Sequence, residues 1–302
     1  MLVTQGNVAA IFKGYTVKFW EAFAASPAPL SESLVMKTPS TGLLEQHNWL
    51  SATAGIRELV DEAQINGMRA QDYSILNKEY EETLELKQIE VQTDKYGLLA
   101  PRIQLLGANG RYHPDQLMRR LIVDAFNGVG VDYTGTAFFG VDKQAYDGAA
   151  KFTNLGHTPL TAANFRLARA NLKARTNAAG RPLNLGIDLR LITSVKNEGI
   201  AREILVADRN AYGATNVDMG TAKVVTWPEL DAAGLQDAWL LADYGNPLKP
   251  FIQQELIPWT YYTVDNPSAE YVLRYHKFLY QIYAAYALGY GFPEVIWGSS
   301  GS

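Results

Sequence analysis

Cysteine is absent from this chain of 302 residues. That excludes disulfides, thiolate metal sites and thiol nucleophiles together, and it fits a reducing compartment. Long apolar runs are missing too. No stretch of about 18 apolar residues occurs, so no membrane-spanning helix is expected. Residues 7–25 (NVAAIFKGYTVKFWEAFAA) are amphipathic and interrupted by Lys13, Lys18 and Glu21, unlike the basic-then-apolar order of a signal peptide. Charge of one sign is also lacking. The formal net charge is −4, too small for a footprint that holds nucleic acid or anionic lipid by charge alone. No Asn-X-Ser/Thr site occurs with X other than proline. The expectation is a soluble, intracellular, unmodified chain with no membrane partner.

The usual catalytic constellations are missing as well. There is no Gly-X-Ser-X-Gly, no Gly-Lys-Ser/Thr phosphate loop and no His-Glu-X-X-His. Gly128-Val-Gly130 follows a helical pattern instead of a strand and lacks a third glycine at the right step. His47, His113, His157 and His276 are far apart, without ligand-spaced neighbours, and read as structural or surface groups. No catalytic residue, metal site or cofactor is expected.

What is present is an ordinary globular composition, 47% hydrophobic and 19% charged. At this length folding buries roughly 75% of the unfolded surface, and the core often splits in two. The centre of the pattern is Tyr73–Asn127. Its first half, through Val91, reads as a charged extended segment, with Tyr80, Leu84 and Leu86 on one parity and Glu81, Thr83 and Glu85 on the other, although Leu76, Tyr80 and Leu84 also fit the i, i+4 spacing of a helix. The parity switches at Ile89 and Val91, which predicts a bulge or the strand's end. Tyr96–Asn127 reads as a long helix or helix pair, about 48 Å if continuous at about 1.5 Å per residue. Gly107, Gly110 and Pro114 predict a kink or break, with Pro114 and Asp115 in the first turn of a second helix and Asp115–Arg119 as an i, i+4 pair.

Val8, Ile11, Phe12, Tyr15 and Phe19 predict a helix over 7–25, ended by Pro27 and Pro29. Ser31–His47 looks like an arm lying on other structure. Asn48–Asp72 is ambiguous between strand and helix and too short and polar to hold a core of its own, so a projecting loop is the better reading. Gly128–Pro159 is glycine-rich and aperiodic, a candidate boundary. A second unit follows: a helix over Thr161–Arg175 with Thr161 as N-cap, a strand alternating over Leu183–Leu191, a helix at Ile200–Ala207, and strands at Ala222–Thr226 and Ala238–Leu241. Phe251–Val264 is extended and aromatic, and Phe278–Leu288 is apolar and tyrosine-rich; the C-terminal tyrosines suit core and interface packing.

Charged clusters point outward. Glu79, Glu81, Glu82 and Glu85 form an acidic run suited to a solvated face or a partner's basic surface. Arg119 and Arg120, and Arg166, Arg169, Lys173 and Arg175, read first as solvated helix faces and second as contacts with acidic neighbours or nucleic acid.

The ordered segments Trp49-Leu50, Tyr73-Ser-Ile75-Leu-Asn77-Lys78, Tyr80-Glu81-Glu-Thr83, Tyr96-Gly97-Leu-Leu-Ala-Pro101, Leu106-Gly107, Pro114-Asp115, Tyr133-Thr-Gly135 and Phe138-Phe139 resemble the major head (capsid) proteins of Mu-like phages and prophages. Looser likeness continues through Leu189–Val195, Ala201-Arg202-Glu203, Thr215-Asn216 and Ala238-Trp239. Two details depart from that pattern: Thr134 stands in place of an aspartate, and Val141-Asp142-Lys143 follows the phenylalanines without a histidine.

The resemblance implies an α+β fold of the Hong Kong 97 capsid type. It implies an N-terminal arm (1–47), an E-loop (48–75), a peripheral domain with a long spine helix (76–158), an axial domain (159–246) and returning C-terminal strands (247–302). It implies a structural, non-enzymatic protein that self-assembles into hexamers and pentamers of an icosahedral head around double-stranded DNA, in the virion after assembly in the host cytoplasm. Expected partners are copies of itself, a portal, possible decoration proteins and a separate scaffolding protein, since 1–47 is too short to hold a fused scaffold. Candidate inter-subunit contacts are Trp49, Ile56, Arg57, Glu58, Arg69, Glu79, Glu81, Glu82, Arg119 and Arg120. No lysine occurs in Asn48–Asp72, so lysine-to-asparagine cross-linking through the E-loop is not expected. An encapsulin-like compartment shell shares this fold and stays open as an alternative, as does an enzyme with an unrecognised site.

Overall fold

The computed structural model describes residues 5–27, 29–47, 73–93, 97–144, 150–176, 182–209 and 213–301. In chain order, α1 (Gln5–Ala25) and the short α2 (Ser31–Leu34) precede β1 (Val35–Pro39), β2 (Leu44–Gln46), β3 (Ser74–Leu76) and β4 (Lys78–Lys87). Then come α3 (Gln88–Thr93), α4 (Leu99–Phe126), β5 (Leu155–Gly156), α5 (Ala162–Lys173), β6 (Leu189–Thr193) and α6 (Glu198–Leu205). The chain continues through β7 (Lys223–Thr226), α7 (Glu229–Ala232), β8 (Trp239–Asp243), β9 (Phe251–Val264), α8 (Glu270–Tyr275), β10 (Lys277–Tyr290) and β11 (Ile296–Ser299).

Two sheets carry the architecture. The first has strand order β1-β9-β10-β4, with β1 parallel to β9 and the other neighbours antiparallel. The second has order β5-β11-β8-β6-β7, mixing parallel and antiparallel pairs. A separate pair, β2 with β3, brings Gln46 opposite Ser74, and the His47 N–H donates to the Tyr73 carbonyl at 2.7 Å. The chain thus leaves at His47 and returns at Tyr73 at one place. The sequence between them, with its strand-or-helix ambiguity, lies outside the described residues.

The predicted α1 is present and buries Val8, Phe12, Tyr15 and Phe19, the expected stripe. It does not lie free. It packs along α4 and over β10, in one core with Ile103, Leu106, Phe278, Tyr280 and Ile282. A second core joins the C-terminal half of α4 (Met118, Ile122) to Phe138, Phe139, Trp227, Leu240 and Phe251. A third lies between α5, α6 and the second sheet, around Phe165, Leu172, Leu191 and Trp239.

Several local expectations are overturned. The break near Gly107–Pro114 does not occur: α4 runs unbroken for 28 residues, with Pro114 inside it. Its glycines serve a different purpose. A Cβ on Gly107 would sit 2.5 Å from the Phe19 carbonyl oxygen, and one on Gly110 would touch Ile282 and Phe23. The helix-propensity cost is offset by the close approach of α1. Asp115 is therefore mid-helix, and it does not pair with Arg119.

The strand expected over Leu183–Leu191 is confined to β6, from Leu189. Asn184 and Gly186 have φ of 53° and 107°, incompatible with a strand, so Ile187 is thrown outward despite its alternation. The Asp243 carboxylate holds this turn by accepting the Gly186 and Asp188 N–H groups at 2.7 and 3.1 Å. Elsewhere the parity switch after Leu86 marks the strand's end, because Ile89 and Val91 belong to α3. The Thr161 cap is present, its hydroxyl accepting from the Asn164 N–H at 3.2 Å, and β9 covers the expected Phe251–Val264.

Candidate assembly surfaces

β4 lies at the end of the first sheet, paired with β10 along one edge. Its alternation sends Leu84 and Leu86 toward the core and leaves Glu79, Glu81 and Glu85 exposed; Glu82 is exposed as well. Glu85 contacts Lys277 at 2.5 Å and accepts from the Tyr271 hydroxyl at 2.9 Å. Glu81 accepts from Thr83 at 2.6 Å and Gln281 at 3.2 Å. These bonds hold both carboxyls below their usual range, Glu81 chiefly through Thr83 and Glu85 chiefly through Lys277. Among the described residues no strand pairs with the other edge of β4, and ionised carboxylates along such an edge repel casual strand addition.

Arg119 and Arg120 part company. Arg119 is half-buried and pairs with Glu229 at 2.9 Å, tying α4 to α7 inside the chain. Arg120 is exposed on the same flank as β4, where its charge acts on Tyr80 and His113. His113 meets the Tyr80, Trp259 and Tyr286 rings edge-on, 2.5 Å from the Tyr286 hydroxyl. Burial first, and Arg120 second, lower its pKa, so the ring is neutral near pH 7. Of the other candidate contacts, Trp49, Ile56, Arg57, Glu58 and Arg69 lie outside the described residues.

Three polar hubs were invisible in the sequence. Asp115 accepts from the Leu30 and Ser31 N–H groups at 3.0 and 2.8 Å and from the Trp227 indole at 3.1 Å, so it fastens both α2 and the second sheet to α4. Arg175, expected on a solvated face, is buried. It donates to the carbonyls of Pro293, Glu294, Ile296 and Thr153, clamping the C-terminal segment. Burial lowers its pKa to about 9, which leaves it charged at neutral pH. Lys143 and Asp132 form a buried pair at 2.7 Å within the glycine-rich loop, and burial pushes the Asp132 pKa up. No residue spacing announces any of the three: the fold brings the partners of Asp115 and Arg175 from distant segments, and the Asp132–Lys143 pair lies in a loop with no regular period.

Between α2, α4 and β7 lies a cleft of about 520 Å³, lined among others by Tyr112, Asp115, Arg190, Trp227, Glu229 and Tyr244. Arg190 lies over the Tyr244 ring at 4.8 Å. Among the described residues no group of three or more His, Asp or Glu could hold a metal ion.

The chain matches the family described as Mu-like prophage major head subunit gpT over residues 8–158, 151–230 and 229–302. It belongs to that family. Among relatives, it is 27% identical over 157 residues to the major capsid protein of Escherichia phage Mu, covering 51% of this chain and 50% of that one. It is 26% identical over 140 residues to the Mu-like prophage FluMu major head subunit of Haemophilus influenzae, covering 46% of this chain and 44% of that one. The chain thus spans about half the length of the curated relatives it matches.

Solved structures extend the likeness. The procapsid of bacteriophage JBD30 superposes with a TM-score of 0.61 at 21% identity, over 98% of this chain and 76% of that one. The capsid of cyanophage P-SCSP1u gives 0.59 at 11% identity, over 91% and 88%. A virus-like particle from Pyrococcus furiosus gives 0.53 at 10%, over 96% and 99%. At such identities these show the fold, and the fold is the Hong Kong 97-type capsid fold expected from the sequence. Members of the gpT family are structural capsid subunits, not enzymes.

Proposed function

We propose that this gpT-family chain is a major head subunit that assembles with copies of itself into the hexamers and pentamers of an icosahedral phage head enclosing double-stranded DNA. The family match across residues 8–302 is the observation that carries this reading. In it, 48–75 form the projecting loop rooted on β2 and β3, 76–158 the peripheral domain around α4, 159–246 the axial domain, and 247–302 the returning strands. Assembly takes place in the host cytoplasm with a separate scaffolding protein and a portal, and decoration proteins join the finished virion.

The physics suits the parts. Loops and charged edges that bury area only against neighbours make assembly cooperative, and many modest contacts repeated by symmetry close a stable shell. Electron microscopy of the protein expressed with its neighbouring head genes should show closed shells. Only small species on a sizing column under those conditions would refute the reading. The fold likeness to the Pyrococcus furiosus particle keeps a compartment shell as the second reading; protein cargo in place of DNA inside native particles would favour it.

A further inference from the structure

We propose that Gln254 is the positioning residue that sets the direction in which the chain departs at His47 and returns at Tyr73, by tying the two limbs to the middle of the first sheet. Its consequence for shells rests on the assembly reading above; the tie itself does not. Gln254 lies on β9, opposite Thr38 of β1 on one side and Ala287 of β10 on the other, and it is fully buried. A methionine would fill such a place with no amide to satisfy.

The side-chain bonds of Gln254 all go to the two limbs. Its Oε1 accepts from His47 Nε2 at 3.0 Å, on the departing limb. Its Nε2 donates to the Ile75 carbonyl at 2.8 Å and to Asn77 Oδ1 at 2.9 Å, on the returning limb. Both amide protons are spent on acceptors, so Oε1 must face the imidazole, and the ring carries its proton on Nε2. Asn77 is as fully committed, donating to Ser40 Oγ at 2.7 Å and to the Gly42 carbonyl at 2.8 Å. Ser40 in turn meets the Glu45 carboxylate at 3.0 Å, which also accepts the Thr41 and Gly42 N–H groups. His47, Asn77, Ser40 and Gln254 are all buried. None of these amides can turn without stranding a buried partner.

The β2–β3 ladder needs such a tie. It has only three residue pairs, and two short strands alone make a marginal unit. Through Gln254 they inherit the rigidity of a four-stranded sheet. The bonds roughly offset the cost of burying the amides, so the network contributes geometry more than stability. An angular error at the root grows along the segment it carries. The tie therefore governs where that segment meets a neighbouring copy.

The lack of cysteine allows a direct reading. Gln46 and Ser74 are exposed and opposite each other, flanked by the His47 N–H bond to Tyr73, which makes them a non-hydrogen-bonded pair. That is the closer of the two antiparallel spacings and within disulfide reach. Gln46→Cys with Ser74→Cys, made in the full chain and titrated with glutathione, reports how firmly the limbs are held together. Adding Gln254→Met should lower the effective concentration of that thiol pair about tenfold, the size of one or two lost hydrogen bonds. The pair Arg209→Cys with Thr215→Cys, across a bridge in another loop, should be unaffected. No fall at positions 46 and 74, or an equal fall in both pairs, would overturn the inference. If Gln254→Met melts without cooperativity, His47→Phe takes its place, because it removes the bond to Gln254 and leaves those to Ile75 and Asn77.

Shells give the second arm. Reduced Gln254→Met should yield few or irregular shells, and closing the disulfide between positions 46 and 74 should restore uniform ones. Closing the one between positions 209 and 215 should not. Parental shells from the reduced variant, or equal rescue by both disulfides, would show Gln254 to act through stability alone, contrary to the proposal. Failure of the unaltered chain to form shells would overturn the assembly reading, while the thiol titration, which needs no shells, still decides the tie.

Discussion

The backbone of α4 at Gly107 lies so close to α1 that a Cβ there would stand 2.5 Å from the Phe19 carbonyl oxygen. A backbone oxygen cannot swing aside as a side-chain tip does. Gly107→Ala should therefore push the helices apart and cost roughly 1–3 kcal/mol, outweighing the roughly 1 kcal/mol gained in helix propensity. Gly14, within α1, has nothing within 4 Å of its Cβ position. Gly14→Ala should stabilise the unassembled chain by about 1 kcal/mol. Urea denaturation of the two variants checks the opposite signs.

Asp115 is the buried acceptor on which two chain segments hang. Asp115→Ala would strand the Leu30 and Ser31 N–H groups and the Trp227 indole. The loss should be roughly 3 kcal/mol or more, and the Trp227 fluorescence should shift red as water reaches the ring. An unchanged denaturation midpoint would contradict the role.

His113 predicts the acid side of the stability profile. Its folded pKa lies below its ordinary value. The sign follows: the unfolded chain takes up the proton more readily, so this contribution to stability is present above about pH 6.5. It is lost as the pH falls from there through the folded value. His113→Gln should flatten the slope of the urea midpoint between about pH 7 and 5, the unfolded-state histidine range and below. A proton NMR titration showing the His113 ring charging above about pH 6.5 would refute the account.

β2 and β3 meet at the root of the segment between His47 and Tyr73. Deleting Gly55–Gly67 from the proposed loop should spare both sheets, whose strands all lie outside it. Circular dichroism and a cooperative melt should survive while shells disappear from micrographs. Intact shells from the deletion variant would sink this prediction.

Periodicity made some elements plain. Val8, Phe12, Tyr15 and Phe19 announce α1 because a buried helix must repeat its apolar face. Phe251–Val264 and Phe278–Leu288 announce β9 and β10 because long β-rich runs have few other uses. The acidic run on β4 was legible as an outward surface for the same reason: consecutive glutamates cannot be buried without partners. The family resemblance carried the fold beyond what periodicity reached.

Other features were decided in three dimensions. Gly107, Gly110 and Pro114 read as a kink or break, yet α4 is unbroken, because the close approach of α1 repays what the glycines cost. Leu183–Leu191 read as one strand, yet Asp243, more than fifty residues on, pins a turn in the middle of it. Arg175 read as a solvated cation, yet four carbonyls gather around it. The sequence alone determined which faces are apolar and which segments are charged, since those are local properties of residue order. Which glycine meets a neighbouring backbone, which carboxylate finds three donors, and which edge stays free were settled by tertiary structure. Close packing and hydrogen-bond satisfaction are relations between distant segments, and no local pattern contains them.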